Sequence, residues 1–475
     1  MSHTQILLLI ADYTIKVIAV GVVPGGRNPS AANAWLLLIL SVPFVGLPLY
    51  LIWGSTYVNR RRHEIQQAAM AIFSDVTAGQ KNPHINSEVD AIMRLNRALT
   101  GFPASQSTIS ALYTDYRQAI DALTAAVTTA ERSVDIEMYI TSWDDYTDPF
   151  FQACARAVER GVRVRLLFDH LGTLPYPGYI KLAGRLREIG VEPYAMLPFR
   201  PWRWRIRRPD LRNHRKLVVI DEAVAYLGSL NLIDPSYLKH KHTRRQRQWV
   251  DALIEVRGPI VAAVHAVFAV DWFTESGEEL HLLEPTTHTG NNTVQLVPSG
   301  PGYTTEPNLR MFNALVAEAK ERLILCSPYF IPDESLLAAV TSAAYRGVRV
   351  QLLVNEEADQ FIVGHAQSSY YDALLRAGIE IYQYPTPFVL HTKFMVVDPG
   401  PQALAVFGSS NMDMRSFGLN YEISMFVIGA FTDQLTQLAD QYMGRSHQLT
   451  LDEWSQRGIL RRYVDNVMRL TSAVQ

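Results

Sequence analysis

Cysteine is nearly absent: Cys154 and Cys326 are the only two in 475 residues. They lie in apolar runs far apart in the chain. This excludes a disulfide framework or a cysteine-based zinc site and fits two buried free thiols in a reducing compartment. An excess of one charge is also lacking. Lys and Arg number 44 against 46 Asp and Glu, a net charge of −2, which argues against a dedicated nucleic-acid binder. No Lys or Arg precedes the first apolar run, so a signal peptide fits poorly there. The histidines of Lys239-His240-Lys241-His242 sit among cations that would repel a metal ion, so no metal site is expected.

What is present begins with two long apolar stretches, residues 6–23 and 34–53. Each approaches the roughly 20 residues that cross a bilayer core as a helix. Turn formers join them (Pro24, Gly25, Gly26, Asn28, Pro29), and Trp35, Tyr50 and Trp53 mark the ends of the second. A transmembrane helical hairpin over residues 1–57 is therefore expected. Asp12 and Lys16 are spaced as an i,i+4 ion pair, acid first, which eases their placement in an apolar helix. Arg60, Arg61 and Arg62 follow the hairpin, whereas its turn holds only Arg27. That asymmetry places the catalytic bulk on the cytoplasmic side of a cell membrane.

After a polar, partly helical connector (58–106), the chain says similar things twice, in 107–287 and in 288–475, the latter ending in a helical tail. A helix, a short apolar strand, a second helix and an Arg-Gly-Val-Arg-Val element leading into another apolar strand occur around 160–168 and again around 346–354. Strands alternating with helices imply βαβ units and two similar α/β lobes with mixed, mainly parallel sheets flanked by helices.

The repeat continues into a motif, His-x-Lys-x4-Asp, followed by Gly-Ser-x-Asn. The first copy has His214, Lys216 and Asp221, then Ser229 and Asn231. The second has His391, Lys393 and Asp398, then Ser409 and Asn411. A single match of three fixed positions arises easily by chance, but two matches in a repeated frame do not. His and Lys two apart on a strand share a face. Two lobes facing each other would bring two imidazoles, two ammoniums and four neutral donors to one concavity, which suits a phosphodiester. One histidine attacks phosphorus; the other protonates the leaving oxygen and then deprotonates the acceptor. The lysines, with Ser229, Asn231, Ser409 and Asn411, stabilise the non-bridging oxygens, so no metal or other cofactor is needed. The motif aspartates are expected to organise turns rather than to attack. Asp251 and Glu422 occupy equivalent places downstream of the two motifs and are the candidates to orient the histidines.

These residues resemble the paired signature of the phospholipase D superfamily. The resemblance extends over nearly the whole chain to the cardiolipin synthases, through Asn213-His214-Arg215-Lys216, Ser327-Pro328-Tyr329-Phe330, Asn411-Met412-Asp413-Met414-Arg415 and the hairpin's Val45-Gly46-Leu47-Pro48. It implies a two-lobed fold with both histidines at the lobe interface. It also implies transfer of a phosphatidyl group between two phosphatidylglycerols through a phosphohistidine, with His214 as nucleophile and His391 as acid and base. Two features depart from the family. Gly228-Ser229 stands where Gly-Gly is common, and the C-terminus lacks an apolar Ser-Pro-Leu-Leu type ending. Hydrolysis, or transfer to another lipid or alcohol, uses the same covalent step and stays open here, as does the oligomeric state. A superfamily nuclease would not need two membrane spans.

One further segment, Arg200-Pro201-Trp202-Arg203-Trp204-Arg205, interleaves cations with indoles. Trp202, Arg203, Trp204 and Arg205 are expected to contact an anionic leaflet, where each cation contributes about 1 kcal/mol.

Overall fold

The computed structural model describes residues 2–25, 29–54, 60–77, 79–199, 208–287, 290–303 and 305–470. Trp202, Arg203, Trp204 and Arg205 lie outside the described residues.

Helix His3–Val22 is long and apolar enough to cross a membrane. Ser2 and Gln5 cap it reciprocally, and Lys16 lies 2.8 Å from Asp12. The second apolar stretch is not one helix. It divides into Pro29–Ser41 and Pro43–Leu49, the latter running into a π-helical turn over Tyr50–Gly54. The cause is Pro43, which cannot donate an N–H and forces Val42 out of helical geometry (φ −140°, ψ 72°). The chain doubles back so closely that a Cβ on Gly46 would stand 2.7 Å from the Cα of Ile39. Trp35 and Tyr50 close the bend with rings 5.7 Å apart. The expected helical hairpin is thus one long helix and one bent segment, packed together through Ala19, Val23, Ile39 and Tyr50.

The connector is docked rather than free. Helix Arg60–Val76 packs on helix Ile260–Ser276, and helix Ser87–Thr100 packs on helix Pro307–Glu318.

The first lobe holds strands β1 (Ser105–Tyr113), β2 (Ser133–Met138), β3 (Arg163–Asp169), β4 (Glu192–Met196), β5 (Arg212–Asn213), β6 (Leu217–Ile220), β7 (Val224–Gly228), β8 (Gln248–Val250) and β9 (Leu253–Arg257). The second holds β10 (Asn292–Ser299), β11 (Arg322–Cys326), β12 (Phe330–Ile331), β13 (Arg349–Asn355), β14 (Glu380–Tyr384), β15 (Phe388–Leu390), β16 (Phe394–Val397), β17 (Leu404–Gly408), β18 (Met412–Asp413), β19 (Asn420–Gly429) and β20 (His447–Leu449). The βαβ runs read from the sequence give the parallel sets β2-β3-β4 and β11-β13-β14. The motif half of each lobe is antiparallel: β6 pairs with β2 and β7, and β16 with β11 and β17. The β6–β7 and β16–β17 connections are too short for a crossover, so hairpins are the only option there. Strands β1 and β10 pair with each other and join the two lobe sheets into one mixed sheet.

Helix Ile260–Ser276 is apolar on all sides and buried along nearly its whole length, as a helix between two layers must be. Its core cluster takes side chains from both lobes, including Leu217, Val219, Ile324 and Phe394.

Two repeated devices hold the frame. Gly161 and Gly347 adopt left-handed backbone (φ +91° and +93°) at the helix-to-strand turn. The arginine before each reaches back to the end of an earlier helix: Arg160 donates to the carbonyl of Ala130 and Arg346 to that of Ala319. The second device is the motif aspartate. Asp221 accepts the backbone N–H groups of Glu131, Arg132 and Ser133, and Asp398 those of Lys320, Glu321 and Arg322. Each aspartate stands past the end of its strand away from the histidine and clamps the start of the neighbouring strand. Both therefore act as turn organisers and not as members of the reacting set.

Asp221→Ala or Asp398→Ala should cost about 1–3 kcal/mol of stability, the scale of lost hydrogen bonds to a charged acceptor. Thermal unfolding in detergent measures the loss. The folded fraction of either variant should keep its specific activity.

Candidate active site

Each histidine sits just after a short strand that pairs across the lobe boundary. β5 runs parallel to the start of β19, with Arg212 opposite Asn420 and Asn213 opposite Tyr421. β15 runs parallel to β8, with Leu390 opposite Val250. The ladders continue one step further: the His214 N–H donates to the Tyr421 carbonyl and the His391 N–H to the Val250 carbonyl, each at 2.8 Å. The residue following each of those carbonyls is an acid. His214 Nδ1 lies 2.9 Å from Glu422 and His391 Nδ1 lies 2.6 Å from Asp251. Every histidine is thus partnered by the acid of the opposite lobe. Equivalent positions in the sequence identify the two acids but not this crossing, because local spacing says nothing about which lobe supplies the partner.

With Nδ1 held by the carboxylate, Nε2 is the ring nitrogen left to act. Both rings line a cavity of about 490 Å³, together with Asn231, Asn411, Asp413 and Arg415. His214 meets the Tyr139 ring edge-on at 4.8 Å. Gly172 must be small for Tyr139 to sit there, since a Cβ would fall 2.3 Å from its ring.

The lysines reach the site differently from the simple strand picture. Residues 214–216 and 391–393 are extended connections outside the ladders. Lys216 Nζ donates to the His214 carbonyl at 2.6 Å, and Lys393 Nζ donates to the His391 carbonyl. Both ammoniums are buried. Burial pushes Lys216 down to about 7 and Lys393 down to about 8, against the pull of Glu422 and Asp251.

The two histidine–acid pairs differ electrostatically. Burial raises Asp251, but His391 and Lys393 outweigh it and hold the carboxyl below its usual range. Burial wins at Glu422 and pushes it up to about 7. Burial, then Lys216, Lys393 and Arg415, drives His214 well below the ordinary imidazole range. Burial and Lys393 bring His391 down to about 4, with Asp251 opposing them.

The Gly-Ser-x-Asn elements divide in role. A Cβ on Gly228 would stand 2.2 Å from the Ala252 carbonyl oxygen, and one on Gly408 2.3 Å from that of Ile423, so each strand end passes close to the strand carrying its acid. Ser229 and Ser409 lie behind the acids rather than among the cavity-lining residues. Ser409 Oγ donates to Glu422 at 2.5 Å, and Ser229 Oγ accepts the Ala252 N–H at 3.0 Å. Their single hydroxyl protons are directed at protein acceptors, which argues against direct phosphate binding by the serines. The asparagines do face the cavity. Asn231 is held by the Ile140 N–H and the Tyr237 hydroxyl, whereas the buried Asn411 Oδ1 has no hydrogen-bond partner among the described residues.

Sequence reasoning passed over Asp169 and Arg212. Asp169 accepts from Arg212 at 3.0 Å and from the Asn213 N–H at 2.8 Å, pinning β5 just ahead of His214. Asp169 ends the apolar strand β3, so the signal was an acid closing a buried run. Arg415, Asp413 and Tyr139 were likewise not assigned. Among the described residues no group of three or more His, Cys, Asp and Glu is placed to hold a metal ion.

Two lobes related by a repeat, meeting at one pocket lined by a histidine from each and backed by a buried lysine from each, define a phospholipase D-like protein. Comparison with known proteins narrows the class. The family model described as "Cardiolipin synthase, PLD-like domain" matches residues 123–272 and 313–446, and a "Phospholipase_D-nuclease N-terminal" model matches 15–55. Cardiolipin synthase A of Proteus mirabilis is 30% identical over 97% of this chain and 95% of that protein. Its counterpart in Edwardsiella ictaluri is 32% identical over the same shares. The crystal structure of a phosphatidylserine synthase from Haemophilus influenzae superposes with a TM-score of 0.58 at 13% identity, covering 81% of this chain and all of that one, a likeness of fold. The chain belongs to the cardiolipin synthase family of the phospholipase D superfamily and is a phosphatidyltransferase.

The lowered lysines predict an unusual pH profile. Each ammonium exists below its lowered pKa and is lost as pH rises through about 7 to 8. The alkaline limb of kcat/KM should therefore fall well below the normal lysine range. A bound phosphodiester anion favours the charged form, so the limb of kcat should lie at higher pH. Initial rates in mixed micelles measure both, and coincident limbs near pH 10 would contradict the buried lysines.

Proposed function

We propose that the protein makes cardiolipin by transferring a phosphatidyl group from one phosphatidylglycerol to another, releasing glycerol. The observation that carries the reading is the crossed pair of histidine–acid couples around one cavity, with a buried lysine behind each histidine.

In the first step the neutral His214 Nε2 attacks phosphorus. The P–O bond to the head-group glycerol breaks, and the leaving oxygen takes a proton from the His391 imidazolium. In the second step a hydroxyl of the acceptor phosphatidylglycerol gives its proton back to His391 and attacks phosphorus, and the P–N bond breaks. The electrostatics favour this division of labour. Burial lowers both rings, but the ionised Asp251 opposes that at His391 and stabilises the imidazolium the acid step needs, while burial and three nearby cations keep His214 neutral, as a nucleophile must be. Lys216 and Lys393 stabilise the charge on the pentacoordinate phosphorus, joined by Asn231 and Asn411. The reading places the protein in a bacterial inner (cell) membrane, multi-pass through residues 1–57, with the lobes on the cytoplasmic side where Arg60, Arg61 and Arg62 emerge. Its partners are phosphatidylglycerol and other anionic lipids.

Product analysis with defined phospholipids tests the reaction. Pure phosphatidylglycerol should yield cardiolipin and glycerol in equal amounts; phosphatidic acid without cardiolipin would assign hydrolysis instead. His214→Ala and His391→Ala should each lower turnover by at least about a thousandfold. With 32P-labelled donor, His391→Gln should hold a phosphoenzyme mapping to His214, and label on another residue would refute the assigned nucleophile.

A further inference from the structure

The C-terminal helix Ile459–Arg469 exposes an apolar stripe that a protein surrounded by water would cover. Its acid faces inward: Asp465 is 1% exposed and bonds His365 at 2.6 Å and Arg457 at 2.6 Å. Met468 packs inward on the second-lobe core, but a separate apolar stripe faces outward. Ile459, Leu460 and Tyr463 are 86%, 76% and 65% exposed, and Leu470, just past the helix, is 80% exposed. These positions fall on one stripe at helical spacing, and Arg462 and Arg469 lie along the same exposed side. The guanidiniums are anchored without losing charge, Arg462 to the Ser455 carbonyl and Arg469 over the Tyr370 ring at 4.9 Å.

The helix packs along Phe361–Ser368, which forms the lip of the catalytic cavity. Ile362 and Val363 line that cavity beside His214 and His391. Phe361, 67% exposed, continues the apolar surface from the lip toward the C-terminal helix. A second basin of about 930 Å³ adjoins the same lip and is lined by Lys241, Arg244, Arg245 and Arg461 among others. Its acids are largely engaged: Glu357 by Arg245 at 2.5 Å and Arg247 at 2.8 Å, and Asp359 by the Tyr329 hydroxyl at 2.6 Å.

Apolar side chains projecting outward, cations along the same side and a mouth leading to the histidines match one kind of partner, an anionic bilayer surface. We infer that Ile459–Arg469, with Phe361 and Ile362, docks the second lobe flat on the membrane, so that lipid passes from the bilayer to the cavity without crossing water. The direction of passage rests on the cardiolipin reading; the docking does not. The N-terminal hairpin tethers the chain, and this contact fixes which side of the lobes meets lipid.

The buried thiols Cys154 and Cys326 allow a single introduced cysteine to be labelled selectively. Tyr463→Cys carrying an environment-sensitive fluorophore is placed in the full chain, reconstituted in vesicles with or without phosphatidylglycerol in phosphatidylcholine. Tyr345→Cys serves as control: it is exposed and precedes β13, at the end of the sheet away from the cavity. The label at 463 should shift to the blue and be quenched by nitroxides on the acyl chains when phosphatidylglycerol is present, and the control should do neither. The inference is overturned if the two labels behave alike. It is equally overturned if the shift appears in lipid-free detergent and grows with protein concentration, since a second copy of the chain would then cover the face. In a kinetic arm, Leu460→Glu with Tyr463→Glu should raise KM for bilayer phosphatidylglycerol about tenfold and leave turnover of monomeric short-chain phosphatidylglycerol unchanged. Equal losses on both substrates would mark a folding defect and count against docking. The fluorescence arm needs no turnover, so it stands whether or not cardiolipin is the product.

Discussion

The structure depends on two short parallel ladders that cross between the lobes. β5 lies against the start of β19, and β15 against β8. Each ladder extends by one hydrogen bond into a catalytic motif, from a histidine N–H to the carbonyl just before an acid. Side-chain placement then follows from the backbone: once His214 N is bonded to Tyr421 O, Glu422 is the next residue and falls at Nδ1. The same logic sets His391 against Asp251. Neither lobe by itself supplies both the motif histidine and its acid, so two docked lobes are the smallest unit that holds such a couple.

The rest of the fold keeps those ladders in register. Asp169 fixes β5 from below through Arg212 and the Asn213 N–H. Asn355 does the corresponding work at β15, exchanging hydrogen bonds with both backbone groups of Leu390. The buried, mostly apolar helix Ile260–Ser276 and the β1–β10 pairing give the lobes one shared core and one shared sheet, which resists sliding at the cavity. The motif aspartates hold the far ends of β6 and β16. Taken together, the His-x-Lys-x4-Asp spacing has two functions: its first half supplies the chemistry and its last residue holds the strand in place.

Burial gives the site its electrical character. Two lysines, two imidazoles and two carboxyls are packed away from water, and desolvation is the largest influence on each of them. A buried cation without an anion is costly, and a phosphodiester between Lys216 and Lys393 would relieve that cost as it binds. The serines reinforce the acids: Ser409 donates to Glu422. The expectation that all four Gly-Ser-x-Asn polar groups face phosphate fails for the serines because the preceding glycine brings each strand end against the strand carrying an acid, where the Ser409 hydroxyl is spent on Glu422 and that of Ser229 on the Ala252 backbone.

The sequence by itself determined a good deal. Repeated strand–helix periodicity specified the βαβ frame, since burial of alternate apolar runs permits little else. The doubled motif singled out the two histidines and two lysines that the fold brings together, and matching positions downstream pointed to Asp251 and Glu422. Only the tertiary structure decided which acid serves which histidine, because that choice is made by strand pairing between residues about 140 and 208 apart in the chain. It also decided the bend at Pro43, where hydrophobicity alone read a single span. The outward-facing apolar stripe of the C-terminal helix was written in the sequence as ordinary amphipathicity. Which face points to solvent depends on what the helix packs against, and there the Asp465 ion pairs and Met468 turn inward, which leaves the stripe of Ile459, Leu460 and Tyr463 uncovered.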